Sequence, residues 1–324
     1  MSRDLIQQEI LDNIPNPAHG LLQLAPRVGK TKLGIDIIKR EKPKKILWVT
    51  PNTKLRDEDI PAEFKQWKAT TYLKKTDIIC YASLANHKGN YDKIILDEIQ
   101  DLTISNCTPL LNGKIKYKTI VGMTGTLPKH KDKLDLYNKL ELKSLAEMSI
   151  DEAVENKLIA PYKIRVIELD LDNTDKYIQG GSKTKPFMQT ERSRYDYLTR
   201  LINVKLFSGQ PVPKFFYLNR MRFLYNLKSK QAFAKKFLKQ IEGRTLIFTG
   251  SIAQAEDLCK YTYHSQTDDI DLKKFLEGKI NELACVNAGG VGYTYRDVRN
   301  FLITQINSNG KGDSTQKIAE KTFG

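Results

Sequence analysis

A chain that keeps returning to a short β-branched run, a turn and then a helical period has few folds open to it. Four such runs come early: KKILWVTP (44 to 51), DIICYASL (77 to 84), KIILDE (93 to 98) and KTIVGMTGT (118 to 126). This is the pattern of strands alternating with helices around a parallel sheet, and the four together describe one α/β domain. Residues 131 to 158 read as mostly helical, and PYKIRVIELDLD then opens a new stretch. The pattern returns in RTLIFTGS (244 to 251), ELACVNAGG (282 to 290) and NFLITQINS (300 to 308), which predicts a second α/β domain. The expected division is 1–158 and 159–324. Gly180-Gly181-Ser182 reads as a turn leading into an insertion or an exposed helical arm.

At 324 residues the chain is long enough for two domains that each bury a core. No apolar run approaches the roughly 20 residues of a membrane span, so no membrane partner is expected. MSRDLIQQEILDNI carries acids and amides where a signal peptide needs an apolar stretch, so a cytoplasmic protein is expected. Cys80, Cys107, Cys259 and Cys285 lie far apart with no C-x-x-C pair, and the four histidines are scattered. That spacing argues against a structural metal and for reduced, mostly buried thiols.

Lysine and arginine total 53 against 38 acids, a net charge of +15. Such a surplus favours a polyanionic partner through release of condensed counterions, although a lysine-rich source would produce the same number. Distribution favours the first reading. Residues 183 to 244 hold 15 Lys or Arg against Glu191, Asp196 and Glu242, interleaved with 11 Phe and Tyr. Basic groups grip phosphates and aromatic faces stack bases, a mixture suited to nucleic acid. For FFYLNRMRFLYNLKSKQAFAKKFLKQ, core burial is expected to account for most of the aromatics.

The chemistry begins at LAPRVGKT (24 to 31). Gly29-Lys30-Thr31 ends as a phosphate-binding loop ends, with KLGIDII as a helix behind it, but Leu24 stands where such a loop usually opens on glycine. In such loops backbone N–H groups converge on the anion at a helix N-terminus, lysine reaches the terminal phosphates and a hydroxyl ligates magnesium. ILDEIQDL (95 to 102) places Asp97 and Glu98 at the end of an apolar strand, 67 residues beyond Lys30. One carboxylate of such a pair can hold magnesium while its neighbour orients and deprotonates the attacking water. An isolated acid pair would more simply cap the next helix; the lysine loop upstream favours the catalytic reading. Thr124-Gly125-Thr126 follows another apolar strand, 27 residues beyond Asp97.

GKT, DEIQ and TGT in this order and spacing resemble the superfamily 2 helicases and translocases, the DEAD/DEAH-box group. The compact motifs look most like those of small bacteriophage helicase-like proteins. The resemblance spans about residues 5 to 320 and implies two tandem RecA-like domains, with ATP and Mg²⁺ bound in the cleft between them. It implies that nucleic acid is the partner, DNA favoured over RNA, and that the protein is a monomer. Lys30 and the loop residues Arg27, Val28, Gly29, Thr31 and Lys32 would hold the phosphates. Thr31 and Asp97 would hold magnesium, and Glu98 would activate water. Gln100, Thr124, Gly125 and Thr126 would couple hydrolysis to strand movement. An upstream glutamine that recognises adenine is matched by Gln7 in preference to Gln8. Pro51, Asn52 and Thr53 fall where the family touches the nucleic acid backbone, as do Thr249 and Ser251 after RTLIF. YHSQTD follows as a histidine-serine element does in many relatives. ACVNAGGVGYTYRDV resembles the family's fifth motif, with Asn287 and Gly289 toward nucleic acid and Gly290 and Gly292 toward nucleotide.

The family's last motif, Q-x-x-G-R-x-x-R, is degenerate here. In STQKIAEKTFG, Gln316 aligns, but Ala319, Glu320 and Phe323 occupy the glycine and arginine positions. Such arginines contribute roughly 10³ to 10⁵ in rate, and a glutamate facing a triphosphate repels it. Lys317 and Lys321 lack the planar fork of arginine; Arg296 and Arg299 are other substitutes. A slow ATPase, arginines supplied from elsewhere, an inactive relative and a shortened chain all stay open. The competing reading is an ATP-binding nucleic acid clamp with weak or no hydrolysis.

Overall fold

The computed structural model describes residues 2–125, 131–182, 184–286, 295 and 297–304. The chain divides into two compact units between Tyr162 and Lys163. Among the described residues no helix is long and apolar enough to cross a membrane, and all four cysteines are free and buried.

The first unit is built on a six-stranded parallel sheet. Its strands are β1 (Gly20–Leu24), β2 (Ile46–Thr50), β3 (Thr76–Cys80), β4 (Gly89–Leu96), β5 (Ile115–Thr124) and β6 (Ser144–Met148), in the spatial order β3-β2-β4-β5-β1-β6. Central strands buried on both faces need continuous apolar runs, and β2 (ILWVT) is buried at every position. Helices cover both faces. Helix α1 (Arg3–Asn13) and helix α2 (Lys30–Glu41) pack with Leu22, Leu24, Trp48 and Met123 on one side. Leu47, Leu96, Ile120 and Tyr137 form the core on the other. Lys93, 1% exposed, bonds the Ala18 carbonyl and pairs with Glu41 at 2.6 Å, which ties the middle of β4 to the end of α2.

β6 corrects the helical expectation for 131–158. Helices Lys131–Lys139 and Ile150–Glu155 do form, but SLAEM between them is an edge strand on β1. Leu, Ala, Glu and Met favour helix locally, and pairing with a neighbouring strand overrides that preference.

The second unit carries a four-stranded parallel sheet of β9 (Thr245–Thr249), β10 (Thr262–Tyr263), β11 (Glu282–Val286) and β12 (Asn300–Ile303), ordered β10-β11-β9-β12. Before it lie an antiparallel hairpin, β7 (Ile178–Ser182) with β8 (Lys185–Gln189), and three helices, Glu191–Phe207, Lys214–Tyr225 and Lys228–Leu238. Gly180-Gly181-Ser182 is therefore strand rather than turn. Gly181 holds φ +84°, and a Cβ there would meet the Lys185 carbonyl at 2.2 Å, so glycine permits this close pairing.

The helices also correct the burial expectation. Lys214–Tyr225 buries no residue, with Phe215 59% and Tyr217 42% exposed, and Phe207 at the end of the preceding helix is 90% exposed. Its apolar residues run around the whole helix instead of forming one stripe, so no single face can bury them. The unit is pinned by fully buried Glu191. It accepts hydrogen bonds from the Ser229 amide and hydroxyl, the Tyr177 hydroxyl and the Asp172 amide. Burial pushes its carboxyl pKa up, but these hydrogen bonds outweigh that and hold it below the ordinary value.

Candidate functional site

All strands of a parallel sheet end on the same edge, so the loops after β4, β5 and β1, three neighbours in the sheet, meet there. These loops carry Asp97-Glu98, Thr124-Gly125 and PRVGKT. Strand order thus brings together motifs that are 67 and 27 residues apart in the chain.

The loop after β1 reverses through Arg27, at φ 64°, and Gly29, at φ 94°, the N-cap of α2. The Leu33 amide bonds to the Gly29 carbonyl, and the amides of the first helical turn, Lys30 to Lys32, have no acceptor within the helix. Amides so exposed at a helix start can receive an anion, here without the usual opening glycine. Val28 is wholly buried and anchors the loop. Gln7 locks it from α1: its Nε2 donates to the Val28 carbonyl at 2.6 Å, and a Cβ on Gly29 would lie 2.1 Å from that nitrogen. Since Val28 offers only an acceptor, the amide orientation of Gln7 is set, which leaves its buried Oε1 as an unpartnered acceptor. Gln8 faces away and bonds Asp12 on the surface.

Lys30 Nζ lies 3.4 Å from the Leu24 carbonyl and 3.8 Å from Glu98 Oε1. Glu98 has φ 48° and ψ 58°, a left-handed backbone rare for a non-glycine residue, directly after the β4 strand. Its Oε2 accepts from Gln100 Nε2 at 2.8 Å, and Gln100 Oε1 accepts from the Thr124 hydroxyl at 2.7 Å. A continuous polar chain therefore runs Lys30, Glu98, Gln100, Thr124, across the ends of β1, β4 and β5. Asp97 is 6% exposed, and its carbonyl accepts from the Tyr81 hydroxyl. Burial, then the neighbouring Glu98 carboxylate, push its pKa up to about 7, against the pull of Lys30.

Among the described residues no group of three or more His, Cys, Asp or Glu side chains could cage a metal ion. Mg²⁺ suits the Asp97 region nonetheless, since it binds through one or two carboxylates, substrate phosphates and water rather than a protein cage. Asp97 lies beside the Glu98 carboxylate, a place where a cation relieves the charge that burial resists.

Tyr81 and Lys133 join the site without a sequence signal. Lys133 donates to the carbonyls of Gln100 and Leu102, holding the DEIQ segment from the following helix. Both are single polar residues in ordinary helical surroundings.

Other candidates are placed differently. Pro51, Asn52 and Thr53 follow β2 on the same edge, and the Asn52 side chain caps the next helical segment by accepting from the Leu55 amide at 3.0 Å. Lys32 turns to Asp36 at 3.0 Å and lies over the Trp67 ring, so its side chain serves α2 while its amide faces the loop end. In the second unit, the Thr249 hydroxyl bonds inward to the Ser251 and Cys285 carbonyls. Ser251 caps helix Ile252–Leu258 and lines a cavity of about 500 Å³ with Gly250, Tyr263, His264 and Ser265. Arg299 precedes β12 at the opposite edge of that sheet, against Gly243. Thr126, Asn287, Gly289, Gly290, Gly292, Arg296, Gln316, Lys317, Ala319, Glu320, Lys321 and Phe323 lie outside the described residues.

No family model matches the chain, and no curated protein matches it by sequence. By structure it is similar to the helicase domain of Hef from Pyrococcus furiosus, with a TM-score of 0.56 and 11% identity over 98% of this chain and 92% of that one. It is also similar to a variant of Dbp5 from S. cerevisiae bound to RNA and ADP BeF3, with a TM-score of 0.52 and 12% identity over 98% of this chain and 79% of that one. T4 UvsW aligns with a TM-score of 0.36 and 10% identity, over 97% of this chain and 63% of that one. The first two likenesses define the architecture. The chain shares the fold of these two structures, tandem RecA-like α/β units with parallel sheets flanked by helices.

Proposed function

We propose that the chain is a nucleic-acid-dependent ATPase that moves along or separates strands of DNA, of the bacteriophage helicase-like kind its motifs resemble. The observation that carries this reading is the polar chain from Lys30 through Glu98 and Gln100 to Thr124, which links the phosphate loop to the strand end assigned to coupling.

In this reading Lys30 and the amides of residues 27 to 32 hold the triphosphate, and Gln7, which braces the loop at Val28, recognises adenine. Thr31 and Asp97 would hold Mg²⁺, which when bound would neutralise phosphate charge as a Lewis acid. Phosphates compete with Glu98 for the Lys30 ammonium. Once Lys30 turns to the nucleotide, Glu98 keeps only the Gln100 bond and its freed oxygen takes a proton from water. Any shift of Glu98 passes through Gln100 to Thr124 and then Gly125 and Thr126. Pro51 to Thr53 and Ser251 are the proposed backbone contacts, and the exposed aromatics of Glu191–Phe207 and Lys214–Tyr225 offer stacking faces between basic side chains.

The test is ATP hydrolysis with and without single-stranded DNA or RNA. DNA should stimulate turnover, and Lys30→Ala and Glu98→Gln should each abolish the stimulation. Hydrolysis indifferent to every nucleic acid would refute the proposal. ATP-enhanced strand binding without turnover would identify the clamp instead.

A further inference from the structure

The opposite edge of the first sheet is unassigned by the site above, and its charge is one-sided. In a parallel sheet all strands also begin on one edge, and here lysines precede or open four neighbouring strands. Lys42, Lys44 and Lys45 lead into β2, and Lys74 and Lys75 into β3. Lys88 leads into β4 and Lys114 into β5, with Lys116 and Lys118 in its first turns of pleat. All nine are exposed.

The register gives the patch its shape. Ile46 of β2 lies level with Thr76 of β3 and Lys93 of β4, and Lys93 with Thr119 of β5. Lys75, Lys45 and Lys118 therefore stand near one line across four strands, about 14 Å at the usual strand spacing of roughly 4.8 Å. The first three residues of β4 and of β5 project beyond that line as a ribbon carrying Lys88, Lys114 and Lys116. In the step between line and ribbon is a groove of about 340 Å³ lined by Lys45, Asn90, Tyr91, Asp92, Lys116 and Lys118 along with Tyr117.

Among the described residues, Glu141 near Tyr117 forms no ion pair at this edge, and three further carboxylates there are already engaged. Asp77 pairs with Lys45, Asp92 with Lys118 and two backbone amides, and Glu41 with buried Lys93. Among the described residues Lys42, Lys44, Lys74, Lys88, Lys114 and Lys116 form no ion pair. Helix C-termini attract a cation or two each, and edge lysines discourage strand pairing. Neither effect accounts for unpaired lysines that continue across four strands and two levels.

We infer that this edge docks the outer phosphate backbone of a DNA duplex, separately from the strand contacts on the nucleotide edge. Duplex DNA carries one negative charge per roughly 1.7 Å, about eight over the same 14 Å. The cations are all lysine, point charges that suit phosphates without reading sequence. A protein partner would need a cluster of exposed apolar or arginine anchors, and the groove offers only half-buried Tyr117, its Tyr91 being buried. An RNA duplex is recognised through its minor-groove hydroxyls, which a flat row of ammonium groups does not match. The choice of partner rests on the proposed nucleic acid function.

The test compares the full chain with Lys44→Gln/Lys74→Gln/Lys88→Gln/Lys116→Gln and with a charge-matched control, Lys260→Gln/Lys273→Gln/Lys274→Gln/Lys279→Gln. Anisotropy of labelled DNA duplex, DNA single strand, RNA duplex and polyglutamate is read without nucleotide from roughly 50 to 200 mM salt. The edge variant should lower the log–log salt slope for DNA duplex by about 3 to 4. Duplex affinity should fall at least tenfold, single-strand binding should stay within about twofold, and the four Lys→Arg changes should restore duplex binding. An unchanged slope, an equal loss in the control, or a wild-type preference for RNA duplex or polyglutamate overturns the inference. Strand-stimulated hydrolysis is measured on the same proteins. Loss of duplex docking in a wild type whose hydrolysis ignores nucleic acid would uphold this surface and sink the proposed function; the reverse would sink this surface alone.

Discussion

Asp97→Asn should stabilise the first unit, and more so as pH rises. Burial and Glu98 raise the Asp97 carboxyl from an ordinary 3.8 to about 7. Between those values the native state keeps a proton that the unfolded chain has lost, so stability falls as pH climbs through this window and levels above it. A carboxyl that titrates near 7 in the native state and near 3.8 in the unfolded chain corresponds to on the order of 4 kcal/mol at pH 8. Asparagine has the shape of the protonated acid and carries no charge, so the variant should match the wild type near pH 4 and exceed it at pH 8. For a unit of this size, 1 kcal/mol moves the melting temperature by roughly 2 to 4 °C, which projects a gap of about 8 to 16 °C at pH 8. Calorimetric melts of both proteins at several pH values measure this. Millimolar Mg²⁺ should narrow the gap, because a cation at Asp97 favours its ionised form. A gap independent of pH, or a variant less stable at pH 8, would refute the argument that Asp97 is held as a disfavoured buried charge.

Thr124→Val keeps the side-chain shape but strips Gln100 of its partner, so it should cost roughly 1 to 3 kcal/mol in chemical denaturation and reduce strand-stimulated ATP turnover more than basal turnover. Gly29→Ala places a methyl 2.1 Å from Gln7 Nε2 at φ 94°, so it should weaken binding of a fluorescent ATP analogue. Adding Gln7→Ala should recover only the part due to the clash, read as non-additivity in a double-mutant cycle. Glu191→Gln should destabilise the second unit by roughly 1.5 to 3 kcal/mol at neutral pH. Because hydrogen bonds hold the native carboxyl low, that deficit should fade as pH falls below the ordinary glutamate value of about 4.3, which denaturant melts across pH will show. Phe215→Ala with Tyr217→Ala should weaken single-strand binding by about 1 to 3 kcal/mol per lost stack, with little change in melting temperature, since both side chains are exposed.

The order of runs, the GKT end and the Asp97-Glu98 pair were legible because each is a local statement: a β-branched run prefers strand, a glycine admits a left-handed turn, an acid pair at a strand end carries charge. SLAEM was misread for the same reason, since its residues prefer helix and only pairing with β1 makes them strand. The aromatics of Lys214–Tyr225 were misread because periodicity reports that side chains are apolar, and burial depends on which neighbours arrive. Within the site, the sequence by itself determined which groups can bind phosphate, hold a cation or take a proton. Tertiary structure alone decided that they meet. The order β4-β5-β1 puts Glu98, Thr124 and Lys30 on adjacent strand ends, and the packing of α1 turns Gln7 rather than Gln8 onto the loop. Adjacency in a parallel sheet follows from crossover connections, and no residue's own chemistry encodes its neighbour on the next strand.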